Sequence, residues 1–314
     1  MTTRSIFVLL ALLFAVSDNV VAQELYKYQD ADGNWIYSDR PPDDGQTVES
    51  REIETPAVDD DDLVTVTSAM VGRSVLITAH NDYFAPVEIR LEIIEAKELE
   101  LPPADHVMTW ILEPRSEMNL LQLQLTERAS QPELEYQFRH MPGDPRAEHA
   151  APEPYRAPYA VSSEHRITQA YPDTVTHSGP DSYHAVDFDM PIGTDIVAAR
   201  EGIVFDIAST NYRTGLDTDV DGPAANVVRI LHDDGTYAIY AHLNTNTIRV
   251  KPGDFVERGQ YIADSGNTGF STGPHLHFAV VQNAGMRVQS VPVTFAAPGA
   301  EAVVPASGND LIAY

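Results

Sequence analysis

The sequence predicts an all-β protein: an N-terminal β-hairpin, a middle β-sandwich-like domain and a C-terminal β-sheet domain. Three observations carry this. Short runs of alternating apolar and polar residues recur from Leu63 to His140. Gly- and Pro-containing turns punctuate the rest of the chain. No stretch shows a convincing amphipathic-helix period. Length agrees, since 314 residues suit two or three domains rather than one.

Composition narrows the function. There are 47 Asp+Glu against 20 Lys+Arg, a formal net charge of −27. Lysine occurs at Lys27, Lys97 and Lys251 alone. A surface that tracks phosphate needs the opposite balance, so nucleic acid and anionic membranes are excluded as partners. The chain has no cysteine. That rules out disulfide scaffolds, thiolate metal sites and cysteine nucleophiles.

Residues 1–22 read as a secretory signal. Arg4 precedes an apolar run from Ile6 to Val16, and Val20-Val21-Ala22 supplies small residues for cleavage after Ala22. The run is too short to span a bilayer as a helix, and no later segment is apolar enough to do so. The mature chain is therefore expected outside the cytoplasm, periplasmic or secreted, with no membrane span after signal removal.

Residues 23–42 form the hairpin unit. Tyr26 and Tyr28 alternate with polar residues, Asp32-Gly33 makes the turn, and Trp35 and Tyr37 follow with the same period. This unit resembles a small domain of unknown function common at the N-termini of secreted proteobacterial proteins. Residues 43–62 are polar and end in Asp59-Asp60-Asp61-Asp62, which reads as an acidic linker rather than a calcium site. Residues 63–141 hold the strand-like runs LVTVTSAM, SVLITAHN, VEIRLEII, MTWILEP, LLQLQLTE and EYQFRHM. Their spacing suits a sandwich. His80, His106 and His140 are scattered through them without ligand spacing. Residues 142–158 are Pro-rich and read as a second linker. The C-terminal domain is placed at 159–300, with 301–314 as a tail.

The chemistry sits in three clusters: 176–204, 226–243 and 250–280. His275 and His277 lie two apart, so on a strand both imidazoles face one way. Asp187 lies between Val186 and Phe188 and faces away from both; a buried carboxylate needs a metal or a histidine beside it. His242 ends the run YAIYAH and shares the parity of Tyr240. Imidazoles with a carboxylate and no thiolate suit Zn²⁺, and three such ligands with one open position make a catalytic site. Histidines beside it can move protons or stabilise an oxyanion.

The three clusters resemble the lysostaphin/LytM-type zinc metalloendopeptidases, which cut peptide cross-links in peptidoglycan. Asp187 is followed by MPIGTDIVAAR where the family has P-x-G-T-x-V-x-A. Tyr240-Ala241-His242-Leu243 matches its Y-x-H-L, and GNTGFSTGPHLHF its third motif. The resemblance covers about 120 residues in order. It implies a C-terminal metallopeptidase domain, Asp187 and His277 as zinc ligands, and His242 and His275 as unbound catalytic histidines. One departure concerns the first ligand. The common spacing puts a histidine four residues before the aspartate, where this chain has Tyr183. His177 and His184 are the candidates. Members with a longer insertion place the ligand in the earlier histidine, so His177 is preferred and His184 is the alternative. Strand parity points the same way, because His184 shares the parity of Val186, opposite to Asp187.

The implied function is a zinc-dependent metalloendopeptidase whose partner is the peptide stem of peptidoglycan. The alternative is a non-enzymatic wall-binding regulator of other hydrolases on the same fold. A third reading is a glycan-binding module led by the hairpin. A lipoyl- or biotinyl-carrier fits worse, because Lys251 precedes Pro252 in a turn and the motif histidines stay unexplained. Asp217 to Gly222 imitates the start of an EF-hand loop, but Val228 stands at the twelfth position, so a surface loop is expected. His149, His165 and His232 are expected at the surface.

Overall fold

The structure is a computed structural model. It describes residues 63–314 apart from 103–106, 128–130, 174 and 301, and the backbone of three N-terminal strands. The expected signal at 1–22, the Asp32-Gly33 turn, Asp59–Asp62 and His106 lie outside the described residues. The protein is all-β. No helix among the described residues is long and apolar enough to cross a membrane.

At the N-terminus, Gln23–Gln29 pairs antiparallel with Trp35–Ser38, with Gln29 opposite Trp35. A third strand, Glu49–Ile53, pairs on the other edge of Gln23–Gln29 and falls within the residues expected as linker.

The middle unit is two antiparallel sheets. One runs Glu133–Pro142, Val87–Lys97, Val107–Leu112; the other runs Val64–Val71, Ser74–Asn81, Ser116–Leu125, Leu99–Glu100. Alternation along these strands buries Ile77, Ala79, Ile89, Leu91, Leu112 and Leu123 in one core.

The C-terminal unit is built on a nine-stranded antiparallel sheet. Its order is Phe255–Val256, Gly202–Ala208, Val227–Leu231, Tyr237–Ala241, His275–Asn283, Val186–Asp189, Glu164–Gln169, Asp310–Ile312, with Val288–Ser290 pairing beside His275–Asn283. One face carries Val186, Phe188, Val228, Ile230, Tyr240, Leu276, Phe278 and Val280, which pack on Tyr155, Tyr159, Ile196, Ile262 and Phe295. Period 2 puts His275, His277, Ala279 and Val281 on the opposite face. There the sandwich docks: Ala185, Phe205, Tyr237, Ala279 and Val281 share its hydrophobic core. Glu88 seals the contact, its buried carboxylate accepting from Asn283 Nδ2 and the Met286 backbone, each at 2.8 Å. The sandwich thus covers one part of this face and leaves the histidine end open.

Within residues 142–158, Tyr155 and Ala157 are buried, and Tyr155 bridges to Phe295. Within residues 301–314, Asp310–Ile312 closes the sheet edge, and Leu311 and Ala313 are buried. The expected surface position of His232 is corrected: it is 3% exposed. It sits in the turn between two sheet strands, where its Nδ1 donates to Glu201 O at 2.8 Å.

Candidate metal centre

The open end of the face is a groove of about 720 Å³. Its floor crosses five strands: Val227 and Arg229, Ile239 and Ala241, His275 and His277, Asp187 and Asp189, Thr168 and Gln169. His242, Val175–His177, Asp181, Ser182, Thr218, Gly222, Ala225 and Phe270–Pro274 complete the lining. No described residue of the sandwich contributes.

Register brings the site together. Asp187 stands opposite His277, and His277 opposite Ala241. His177 arrives on the loop between Glu164–Gln169 and Val186–Asp189. Its Nε2 lies 3.1 Å from Asp187 Oδ2, and His277 Nδ1 lies 2.9 Å from Asp187 Oδ1. The ligand atoms of His177, Asp187 and His277 all lie within 4.8 Å of one another. Zinc bonds of about 2.0–2.1 Å in a tetrahedron separate ligand atoms by about 3.3 Å, so this donor set fits the ion with small adjustments. Burial opposes ionisation of Asp187, yet hydrogen bonds from His177 and His277 outweigh it and hold the carboxyl well below the usual range.

His242 and His275 stand beside this trio. Their rings are 4.5 Å apart, and His275 Nε2 is 3.9 Å from Asp187 Oδ2. His242 Nδ1 donates to Thr268 O at 2.7 Å, and His275 Nδ1 donates to Gly273 O at 2.7 Å. In the neutral form of each ring this bond makes Nδ1 the donor and Nε2 the acceptor. Burial, then the neighbouring His275 and His277, pushes His242 down to about 3.

The parity expected for His242 is wrong. The strand stops at Ala241, and His242 is left-handed at φ 62°. The alternation breaks there. Tyr240 stays in the far core, where its hydroxyl accepts from Ala199 N, while His242 turns into the groove. A left-handed non-glycine costs about 1–3 kcal/mol. Buried Asn226 holds it: its carbonyl accepts from Leu243 N, and its Nδ2 donates to Leu243 O.

His184 is not brought to the trio. It sits in a turn before the strand, packs on Tyr171 and Tyr183, and its backbone N–H donates to Ser290 Oγ. The Asp217 stretch forms a single helical turn, Thr218–Asp221, capped by Asp217. Asp221 is 2% exposed and bonds Arg213 Nε and Asp217 N, so it pins the groove wall.

Sequence reasoning missed Gln169. Its Nε2 donates to Asp187 Oδ2 at 2.7 Å. A lone Gln at a strand end carries no motif, and only the register reveals it.

Comparisons with known proteins agree with the motifs. Residues 181–290 match the model of peptidase family M23, and residues 9–61 match a domain of unknown function, DUF4124. Lysostaphin of Staphylococcus staphylolyticus is 36% identical over 103 residues, 32% of this chain and 19% of that protein. The peptidoglycan DD-endopeptidase ShyA of Vibrio cholerae is 35% identical over 126 residues, 39% of this chain and 26% of that protein. Among solved structures, the catalytic domain of the prophage-encoded M23 protein EnpA from Enterococcus faecalis is 32% identical. That alignment covers 43% of this chain and 92% of that one, with a TM-score of 0.33. The chain spans less than a third of the length of these two curated relatives.

Proposed function

We propose that this chain, whose residues 181–290 are a peptidase family M23 domain, is a zinc-dependent endopeptidase that cuts peptide cross-links of peptidoglycan outside the cytoplasm. The observation that carries the reading is the convergence of His177 Nε2, Asp187 and His277 Nδ1 on one point in an open groove.

His177, Asp187 and His277 would hold the metal; His184, away from the trio, would not. When bound, a divalent ion there supplies a Lewis acid for the scissile carbonyl and acidifies the attacking water. The chain's own residues do the rest. The groove floor runs across the strands, so an extended peptide lies over His277. His242 and His275, side by side at the groove floor, share two tasks: taking a proton from the attacking water for return to the leaving amine, and stabilising the developing oxyanion. Backbone carbonyls at Thr268 and Gly273 fix both rings in the tautomer this requires.

The test is digestion of purified peptidoglycan with mass spectrometry of the released fragments. The reading expects new peptide amino and carboxyl termini. New reducing sugar ends contradict it. Release only when a second hydrolase is added favours the regulator instead.

A further inference from the structure

We propose that Gln169 is a positioning residue that clamps the His177 loop to the Asp187 carboxylate and so preforms the metal site. The inference rests on reading His177, Asp187 and His277 as the ligands.

The need for a clamp comes from the sequence. The histidine that would sit four residues before Asp187, close to its strand, is Tyr183. His177 lies ten residues before Asp187, on a segment that holds no strand or helix among its described residues between Gln169 and Val186. It also lies outside the matched residues 181–290. A ligand on such a segment has no ladder of backbone bonds to fix its approach.

The strand edge supplies the fix. Arg166 pairs with Asp189 and Ile167 with Phe188, and then the register shifts so that Gln169, not Thr168, stands opposite Asp187. Thr168 is the extra residue of a bulge. Bulges re-aim side chains and are frequent beside functional sites. Without this one, Gln169 would face the core side beside Val186.

From that position the amide uses both of its ends. Oε1 accepts from Val175 N at 2.8 Å and Thr176 N at 2.9 Å. Nε2 donates to Asp187 Oδ2 at 2.7 Å and to Thr176 Oγ1 at 3.0 Å. Backbone N–H groups only donate and an ionised carboxylate only accepts, so the orientation of the amide is fixed by its partners. One end fixes the rotation of the Asp187 carboxylate. The other holds the two residues that precede His177. Partners of metal ligands that act this way typically contribute 10–100-fold in metal affinity.

The experiment measures Zn²⁺ affinity of the full chain by competition with a chromophoric chelator. It compares wild type with Gln169→Met, a near-isostere without hydrogen-bonding capacity, and with Gln169→Ala. The Tm of each metal-free protein is taken alongside. The expected result is a 10–100-fold loss of zinc affinity in Gln169→Met with metal-free Tm unchanged, and faster zinc release to excess chelator. Wild-type affinity in both variants overturns the inference and leaves the metal reading intact. A metal-free Tm that falls in Gln169→Met together with affinity assigns Gln169 a folding role and also overturns it. A wild-type chain that binds no zinc overturns the metal reading, and the inference with it.

Discussion

At the scale of single residues, His242 and His275 differ from the trio by what their second nitrogens do. Each spends Nδ1 on a backbone carbonyl and leaves Nε2 for the groove, whereas His277 turns Nδ1 to Asp187. His242→Ala and His275→Ala should therefore lose about 10²–10⁴-fold in turnover while keeping one zinc per chain. Measuring metal content beside kcat checks this, and stoichiometric loss of zinc from either variant contradicts the assignment. Much of the trio was legible from residues alone. The two-residue spacing put His275 and His277 on one face, and Val186 and Phe188 forced Asp187 onto the other side from the core. The place of His242 was not legible, because a single left-handed residue undoes strand parity and leaves no mark in an alternating pattern. Family resemblance favours His177, and so does a parity argument that needs a regular strand around His184. The stretch around His184 is a turn, so that geometric premise does not hold even though His184 is indeed away from Asp187.

At the scale of elements, turns and strand ends carry what periodicity cannot express. The alternating runs from Leu63 to His140 became strands close to their expected limits, because a half-buried strand has to alternate. The bulge at Thr168, the buried Asp221 and the buried His232 were not foreseen, since each depends on a partner distant in sequence. His232 has a measurable consequence. Burial pushes it down to about 4, against about 6.5 when unfolded. Between those values the unfolded chain binds more protons, so stability falls as pH drops from about 6.5 to 4, by at most about 3 kcal/mol. His232→Asn keeps a donor for Glu201 O and removes the titration. Denaturation midpoints across this window should fall more steeply for wild type than for the variant, and parallel profiles contradict the assignment.

At the scale of the whole molecule, the sandwich and the C-terminal sheet share a core. Phe205, Tyr237, Ala279 and Val281 are 0–4% exposed because the sandwich covers them. Removing residues 63–141 uncovers a contiguous apolar patch, and such patches drive association. The full chain should unfold in one calorimetric transition over these two units, and residues 142–314 alone should aggregate. Two separate transitions, or a soluble monomeric fragment with the full-length Tm, contradict a shared core. The all-β class was legible in the sequence; this docking was not, because apolar residues at Phe205 and Val281 read as ordinary strand interior.

We propose that a single zinc, held by His177, Asp187 and His277, is required for peptide-bond cleavage. The most direct measurement strips the purified chain of metal and follows hydrolysis of cross-linked muropeptides as Zn²⁺ is added back. No cleavage without metal and full recovery at one equivalent are expected. Cleavage by the metal-free protein at the original rate would contradict it.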